Sequence, residues 1–172
     1  RALKPDGLLL ASMFGGDTLS ELRLCLIEAE SELTGGAGPR VSPFAGLQDL
    51  AGLLQRAGFA LPAADRDVVT VHYREPLKLL SDLRAMGETA ALSERSPRAL
   101  SRRILLRAFE IYRARFSDTE GRIRATFEIL TATGWAPHES QQKPLKPGSA
   151  KTRLADALGV KEQSAGEKPS GD

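Results

Sequence analysis

The chain has 172 residues, of which 41% are hydrophobic and 27% are charged, and its formal net charge is +2. This is the composition of a globular protein, and near-neutral charge gives no general attraction to nucleic acid or to membranes. One cysteine excludes a disulfide framework, and with only two histidines the chain lacks the residues of a common zinc site. The longest apolar run, from Leu8 to Ala11, is far too short to cross a membrane.

The first predicted element is a strand. Pro5-Asp6-Gly7 is typical of a turn, and the apolar run from Leu8 to Phe14 predicts a strand that is buried on both faces of a parallel sheet. Such a strand needs neighbours, because an open apolar edge favours aggregation. We therefore expect its neighbours in an N-terminal half that precedes Arg1 and is absent from this sequence.

A helix is predicted to follow Gly15-Gly16. Thr18 and Glu21 have the spacing of a capping box, in which each side chain bonds the backbone N–H of the other residue. Cys25 is interpreted as a small buried residue rather than as a nucleophile. Apolar residues recur at helical spacing up to the Gly35-Gly36 pair, where the helix should end. They are Leu19, Leu22, Leu26, Ala29 and Leu33.

The rest of the predicted domain, 1–136, continues with helices and strands. The patterns predict a helix from Leu47 to Ala57 and a strand from Asp67 to Tyr73. A short helix should begin at Pro76, with Leu77, Leu80 and Leu83 on one face. A long helix from Pro97 to Phe116 and a strand from Ile123, closed by Gly134-Trp135, should follow. Residues 137–172 are rich in Lys, Pro, Gly and Ser and predict a largely disordered tail, with one weak helical turn at 153–158.

The residues that end the first strand form the best candidate for a ligand site. In open α/β sheets, ligands bind outside the carboxyl ends of the strands, and Met13 to Thr18 lies at such an end. Gly15 and Gly16 allow close approach of the backbone, and the following helix offers its first N–H groups. The alternative is a plain strand-to-helix turn whose N–H groups the capping box already satisfies.

Positive charge is concentrated between Arg95 and Arg124, where nine arginines accompany three acidic residues. A basic face of Arg98, Arg102, Arg103 and Arg107 could meet phosphate or an acidic partner. The alternative is a solvated helix face in an arginine-rich protein. We do not expect nucleic acid as the partner, because few aromatic residues are present to stack on bases.

Five motifs together resemble one protein family. They are Ala2 to Gly7, Ser12 to Leu19 with Glu21-Leu22-Arg23, Leu53 to Phe59, Asp82 to Glu88, and Gly134 to Gln141. In this order they resemble the C-terminal half of class I S-adenosylmethionine-dependent methyltransferases, in particular the group of the methyltransferase-like mitochondrial complex I assembly factor and its bacterial relatives. The biotin-pathway malonyl-carrier-protein methyltransferases are similar more distantly.

The resemblance implies an α/β fold with a Rossmann-like sheet, of which this chain holds strands 5, 6 and 7, with strand 7 antiparallel. S-adenosylmethionine is the implied cofactor. Its glycine-rich loop and its ribose-binding acid would belong to the preceding half rather than to this chain. The implied location is the cytoplasm of a bacterium or the mitochondrial matrix of a eukaryote.

The resemblance also implies which residues face the substrate. They are Phe14, Gly15, Gly16, Asp17 and Thr18 at the cleft, Met86, Gly87 and Glu88 on a helix that covers it, and Arg23 and Arg40, which could steer an acidic substrate. No residue has an assignable catalytic role, since methyl transfer can proceed by positioning alone, and no metal site is expected.

Three functions are compatible with these residues. The first is the substrate-side half of a methyltransferase-like enzyme that acts on a protein substrate in respiratory complex I assembly, by methylation or by arginine hydroxylation. The second is a noncatalytic assembly factor or binding module that uses the arginine-rich helix. The third is an O-methyltransferase of the biotin-pathway type.

Overall fold

A computed structural model describes residues 2–88, 99–142 and 157–161 of the chain. Contacts divide the chain into two units, Arg1–His138 and Glu139–Asp172. The first unit contains seven elements. They are β1 (Leu8–Phe14), α1 (Ser20–Thr34), α2 (Leu47–Arg56), β2 (Ala60–Tyr73), α3 (Pro76–Ala85), α4 (Arg102–Phe116) and β3 (Ile123–Trp135). In the second unit, the helical turn predicted at 153–158 falls largely outside the described residues.

The three strands form one sheet in the order β1-β3-β2. β3 lies in the middle and is antiparallel to both neighbours, with Leu8 opposite Trp135 at one end of β1 and Tyr73 opposite Ile123 at one end of β2. β1 and β2 therefore run in the same direction on either side of β3. The structure therefore confirms an α/β fold in general terms, with helices packed on a three-stranded antiparallel sheet.

Alternation along β3 divides the core between the two faces of the sheet. Ile123, Ala125 and Phe127 belong to the larger core, which also contains buried residues of α1, α3 and α4. Leu130 and Ala132 belong to a smaller core with α2. Because successive residues of a strand point to opposite faces, α2 covers one face and the other three helices cover part of the opposite face.

The prediction that β1 is buried on both faces is wrong for this chain. Leu9 and Ala11 pack against the smaller core, but Leu8 is exposed and Leu10 is 66% exposed. The reason is that α1, α3 and α4 pack over Ile123, Ala125 and Phe127, at the end of β3 far from these two leucines. The apolar run alone could not show which end of the sheet face the helices cover.

β2 is longer than predicted. It begins at Ala60 rather than at Asp67, and it pairs with β3 along most of its length. The register shifts between Ala60 and Ala63, where Leu61 has a φ of 50°. The irregular start contains few β-branched residues, so the extension reflects pairing with β3 rather than local strand propensity.

Two helices match their predictions in part. In α3, Leu83 is buried and Leu80 packs against the larger core as predicted, but Leu77 is exposed and Pro76 and Leu79 are buried in its place. Both sets of residues have helical spacing, and only packing decides between them. The predicted start of the long helix at Pro97 lies outside the described residues.

α4 is described from Arg102, and Ser101 caps it. The Ser101 Oγ accepts a hydrogen bond from Ile104 N at 3.2 Å, and Ile104, Ala108 and Ile111 face the core as predicted. Within residues 2–88, 99–142 and 157–161, every helix is too short or too polar to span a membrane.

Candidate functional site at the end of strand β1

The turn between β1 and α1 is bonded to the central strand. Gly15 N donates to Glu128 O at 2.8 Å, and Leu19 N donates to Thr126 O at 2.8 Å. Within the turn, Thr18 N donates to Gly15 O at 3.0 Å. The N–H groups of Gly15, Thr18 and Leu19 are therefore used within the protein, which favours the alternative of a plain strand-to-helix turn at these positions.

Thr18 and Glu21 do not form the predicted capping box. The N-terminal cap of α1 is Leu19, in a left-handed conformation with φ 54° and without a side-chain hydrogen bond. The Thr18 hydroxyl instead donates to Glu128 O at 3.0 Å and accepts from Glu128 N at 3.1 Å. The Glu21 carboxylate accepts from Thr126 Oγ1 at 2.6 Å and from Thr126 N at 3.2 Å. Both side chains bind the helix start to β3, and local spacing could not distinguish this from capping.

A buried carboxylate lies beneath the turn. The side chain of Glu128 is 6% exposed, and its Oε1 lies 2.6 Å from Arg66 Nε. Its Oε2 accepts a hydrogen bond from Asp17 N at 2.7 Å. Arg66 Nη2 also pairs with Asp17 Oδ2 at 2.7 Å. We call these three residues the Asp17–Arg66–Glu128 cluster. Sequence reasoning selected Asp17 but missed Arg66 and Glu128, which lie 49 and 111 positions away along the chain.

The register of the sheet explains how Arg66 reaches Glu128. Arg66 lies opposite Leu130 and Val68 lies opposite Glu128, so Arg66 and Glu128 are diagonal neighbours on one face, within reach of long side chains. Gly15 continues β1 on the other side of Glu128. A Cβ on Gly15 would lie 2.5 Å from Glu128 Oε2, so the carboxylate occupies space that only a glycine leaves open.

Arg23 holds two loops together. Its Nη1 donates to Gly16 O at 3.2 Å, and its Nη2 donates to Thr18 O at 3.3 Å and Ser42 O at 3.5 Å. In the described part of the chain, Arg23 Nε is buried without a hydrogen-bond partner. The guanidinium thus joins the turn after β1 to the loop between α1 and α2.

Arg40 lies near Arg23 but is paired with an acid. Its Nη2 contacts Glu30 Oε1 at 2.5 Å, and Gly38 N donates to the same carboxylate at 3.1 Å. The hydrogen bond from Arg40 is the main cause that lowers the pKa of Glu30, and burial opposes it. Both arginines line a shallow cavity of about 230 Å³ with Ile27, Pro39, Val41 and Pro43.

Aromatic side chains lie beside the turn. The rings of Phe14 and Phe44 meet edge to face at 6.0 Å, and Phe14 lies 5.9 Å from Phe127. Phe14 is half-buried and packs against the larger core, so it joins the sheet, the turn and the loop after α1.

The predicted cover residues lie after α3 rather than on it. Met86 is the C-terminal cap of that helix, and Gly87 has φ 82°. Glu88 N donates to Leu83 O at 2.9 Å and Gly87 N to Arg84 O at 3.1 Å. These bonds remain within the α3 region and do not connect the three residues to the turn after β1.

Acidic residues of other elements neutralise much of the arginine-rich segment. Arg107 bridges Glu32 at 2.7 Å and Glu110 at 3.1 Å, and Arg115 pairs with Glu28. Arg98 lies outside the described residues, while Arg102 and Arg103 are exposed. The partners Glu28 and Glu32 lie 87 and 75 positions from their arginines, which is why a local charge balance overstated the positive charge.

Comparison with known proteins identifies homologues. Over 156 residues the chain is 43% identical to the "Arginine-hydroxylase NDUFAF5, mitochondrial" of Danio rerio, covering 91% of the chain and 48% of that protein. The Homo sapiens protein of the same name is 43% identical over 148 residues, covering 86% of the chain and 43% of that protein. The chain is a homologue of these arginine hydroxylases.

A second group of relatives is more distant. The "Malonyl-[acyl-carrier protein] O-methyltransferase" of Xylella fastidiosa (strain M23) is 35% identical over 137 residues, covering 80% of the chain and 44% of that protein. No family model matches the chain. The chain spans about half the length of the curated relatives it matches. The resemblance predicted from the five motifs is confirmed.

Proposed function

We propose that the chain is the substrate-side half of a class I methyltransferase-like protein that modifies an arginine of a protein substrate during respiratory complex I assembly. The observation that carries the proposal is the 43% identity to relatives named arginine hydroxylase. The order β1-β3-β2, with β3 antiparallel to both neighbours, supports the assignment of these strands as strands 5, 7 and 6 of that fold.

The residues of this chain do not fit the cofactor that the methyltransferase fold implies. In the strand-to-helix turn after β1, the N–H groups of Gly15, Asp17 and Leu19 are bonded to β3, and the Glu128 carboxylate lies beneath the turn. A buried negative charge at that place would repel the carboxylate of S-adenosylmethionine. We therefore assign cofactor binding to the preceding half and derive no step through the cofactor here.

The part of this chain in the proposed reaction is to hold the substrate. Phe14, Gly15, Gly16, Asp17 and Thr18 form the turn that we propose to face the substrate, with Asp17 exposed and Gly15 and Thr18 buried beneath it. The bonds from Thr18 to Glu128 and from Arg23 to Gly16 fix the backbone of this turn. A turn held in this way can position a substrate side chain without being reorganised when the substrate binds.

The test compares cells that lack the gene with cells in which the complete gene is restored. Mass spectrometry of complex I subunits should show one arginine-containing peptide that gains an oxygen atom only when the gene is present. A gain of a methyl group would instead support the methyltransferase alternative that the malonyl-carrier-protein relatives suggest. If cells that lack the gene contain less complex I but their subunit peptides show no change of mass, the enzymatic proposal is overturned in favour of a noncatalytic assembly factor.

Cofactor use is tested separately. The complete protein should bind S-adenosylmethionine in calorimetry, since its relatives include named methyltransferases. Absence of binding by the complete, folded protein would overturn the cofactor assignment. We place the protein in the mitochondrial matrix if its source is a eukaryote and in the cytoplasm if it is a bacterium; fractionation of cells that carry the tagged complete protein tests this.

A further inference from the structure

We infer that Asp17 and Glu128 form a guanidinium-binding site, which Arg66 occupies in this structure and from which an arginine side chain of the substrate displaces it. The inference rests on the proposed function and names the part of the chain that would recognise the substrate. Its first support is that a guanidinium is already bound there. Arg66 Nε lies 2.6 Å from Glu128 Oε1, and Arg66 Nη2 lies 2.7 Å from Asp17 Oδ2. These two nitrogens are the donors on one edge of the planar guanidinium.

The acidic side of the site is built independently of Arg66. Asp17 N holds Glu128 Oε2 at 2.7 Å, and the Thr18 hydroxyl bonds both the N–H and the C=O of Glu128. Gly15 leaves the space that the carboxylate fills. Glu128 therefore keeps its place when Arg66 moves, and a carboxylate that is 6% exposed needs a cationic partner at that place.

Arg66 lies on the solvent-exposed side of the cluster. Its side chain is 43% exposed and that of Asp17 is 63% exposed, so both are in contact with water. The Arg40–Glu30 pair provides a contrast in the same chain, because its side chains are only 13% and 9% exposed. The Arg40–Glu30 pair is enclosed by the fold, whereas the Asp17–Arg66–Glu128 cluster is open to solvent at Arg66 and Asp17.

The chemistry of the site matches an arginine side chain. When Arg66 is displaced, the carboxylates of Asp17 and Glu128 remain. Their spacing allows the two donors on one edge of a guanidinium to contact both of them, as Arg66 does. A lysine ammonium is a compact point charge and cannot make this forked contact.

The first experiment is chemical rescue of the complete protein with Arg66→Ala. Removing Arg66 leaves Glu128 buried and unpaired, so the midpoint of thermal unfolding should fall, and methylguanidinium in the millimolar range should restore at least half of the loss. Methylammonium at the same concentration should restore less than a quarter of it. Arg66→Ala combined with Glu128→Gln should show no rescue.

Arg107→Ala is the matched control variant. Arg107 also bridges two carboxylates, Glu32 and Glu110, but these are 41% and 68% exposed. Water solvates them when the arginine is removed, and methylguanidinium should not raise the unfolding midpoint of this variant. Equal rescue of both variants, or no rescue of Arg66→Ala, would overturn the inference.

A measurement on the unmodified complete protein covers the case in which Arg66→Ala does not fold. The Nε–H signal of Arg66 in nitrogen-15 spectra reports its contact with Glu128. Titration with a short arginine-containing peptide should move this signal toward the position of a solvated arginine, and the same peptide with lysine should leave it in place. A signal that arginine does not move would overturn displacement.

The cellular assay separates this inference from the proposed function. Cells that carry Asp17→Asn should lose at least nine-tenths of the oxygen gain on the substrate arginine, while the amount of folded protein stays near normal because Asp17 is exposed. Full modification by this variant would overturn the binding site and leave the proposed reaction standing. Conversely, methylguanidinium could rescue the purified Arg66→Ala variant while cells show no arginine modification. That result would support the binding site and overturn the proposed reaction.

Discussion

Gly15 and Glu128 share a space that only one of them can fill with a side chain. A Cβ placed on Gly15 would lie 2.5 Å from Glu128 Oε2 and 2.6 Å from its Cδ. The carboxylate lies there because it reaches both Asp17 N and the guanidinium of Arg66. The glycine is therefore required by a charged side chain on the neighbouring strand, and not by the backbone conformation of the turn.

We expect Gly15→Ala to lower the free energy of unfolding by about 1–3 kcal/mol, because the new methyl group forces the Glu128 carboxylate out of its bonded position. Gly36→Ala is the matched control, since a Cβ at Gly36 would meet nothing within 4 Å, and its effect should stay within about 0.5 kcal/mol. Urea unfolding of the complete protein measures both. Equal effects would show that the carboxylate moves aside freely.

Thr18→Val removes a hydroxyl and keeps the shape of the side chain. It should lower the free energy of unfolding by about 1–3 kcal/mol, because Glu128 N loses its partner in a buried place. Thr34→Val is the control: the Thr34 hydroxyl also bonds backbone oxygens, those of Glu30 and Gly36, but Thr34 is exposed, so its loss should stay within about 0.5 kcal/mol. A larger loss at Thr34 would contradict this account of the turn.

Features that depend on local periodicity could be predicted from the sequence. The stripe of Leu22, Leu26 and Ala29 is buried in α1 as expected, and Gly35 ends that helix with φ 75°. These predictions succeed because the residues that determine them lie within two helical turns of one another. The length of β2 was missed because pairing with β3, and not local propensity, extends it.

The contacts of the candidate site could not be predicted in the same way. Thr18 and Glu21 have the spacing of a capping box, yet both bond β3, and no local pattern separates the two outcomes. Arg66 and Glu128 lie in strands whose order and register had to be known before their diagonal contact could be inferred. What the sequence did indicate was the place, since the turn after the first apolar strand is where these long-range contacts meet.

Cys25 should be unreactive in the folded protein. Burial is the largest cause that raises the pKa of its thiol from 9.0 to about 12, and Glu28 adds to the shift. The reactive thiolate is therefore scarce, and the side chain is inaccessible. Iodoacetamide should modify Cys25 only in transiently unfolded molecules, so that adding urea below the transition speeds the reaction by raising their population. Fast labelling without urea would contradict the buried position.

The same shift predicts how stability responds to alkali. Because the folded pKa of Cys25 lies above the unfolded value of 9.0, the native state keeps its proton when the unfolded state loses it. The contribution of Cys25 is fully present below pH 9 and is lost as the pH rises toward 12. Cys25→Ala should reduce this alkaline loss of stability in unfolding measured across that range, and an unchanged pH profile would contradict the assignment.

The Glu30–Arg40 pair should stabilise the fold at neutral pH and not in acid. The hydrogen bond from Arg40 holds the pKa of Glu30 below its ordinary value of 4.5, so the unfolded state takes up a proton first as the pH falls. The stabilisation is present above pH 4.5 and is lost as the pH falls through the folded value. Glu30→Gln should lower the free energy of unfolding near neutral pH by about 1–3 kcal/mol, since the carboxylate bonds of a nearly buried pair are removed.

The difference in the free energy of unfolding between Glu30→Gln and the unmodified protein should then shrink as the pH falls below 4.5. Urea unfolding at a series of pH values measures this difference. Glu32→Gln is the control. Arg107 also lowers the pKa of Glu32, but this pair is exposed to water and salt, so the loss at neutral pH should be clearly smaller and should decrease further with added salt. A difference for Glu30→Gln that persists in acid would show that packing around Glu30, and not its charge, stabilises the loop after α1.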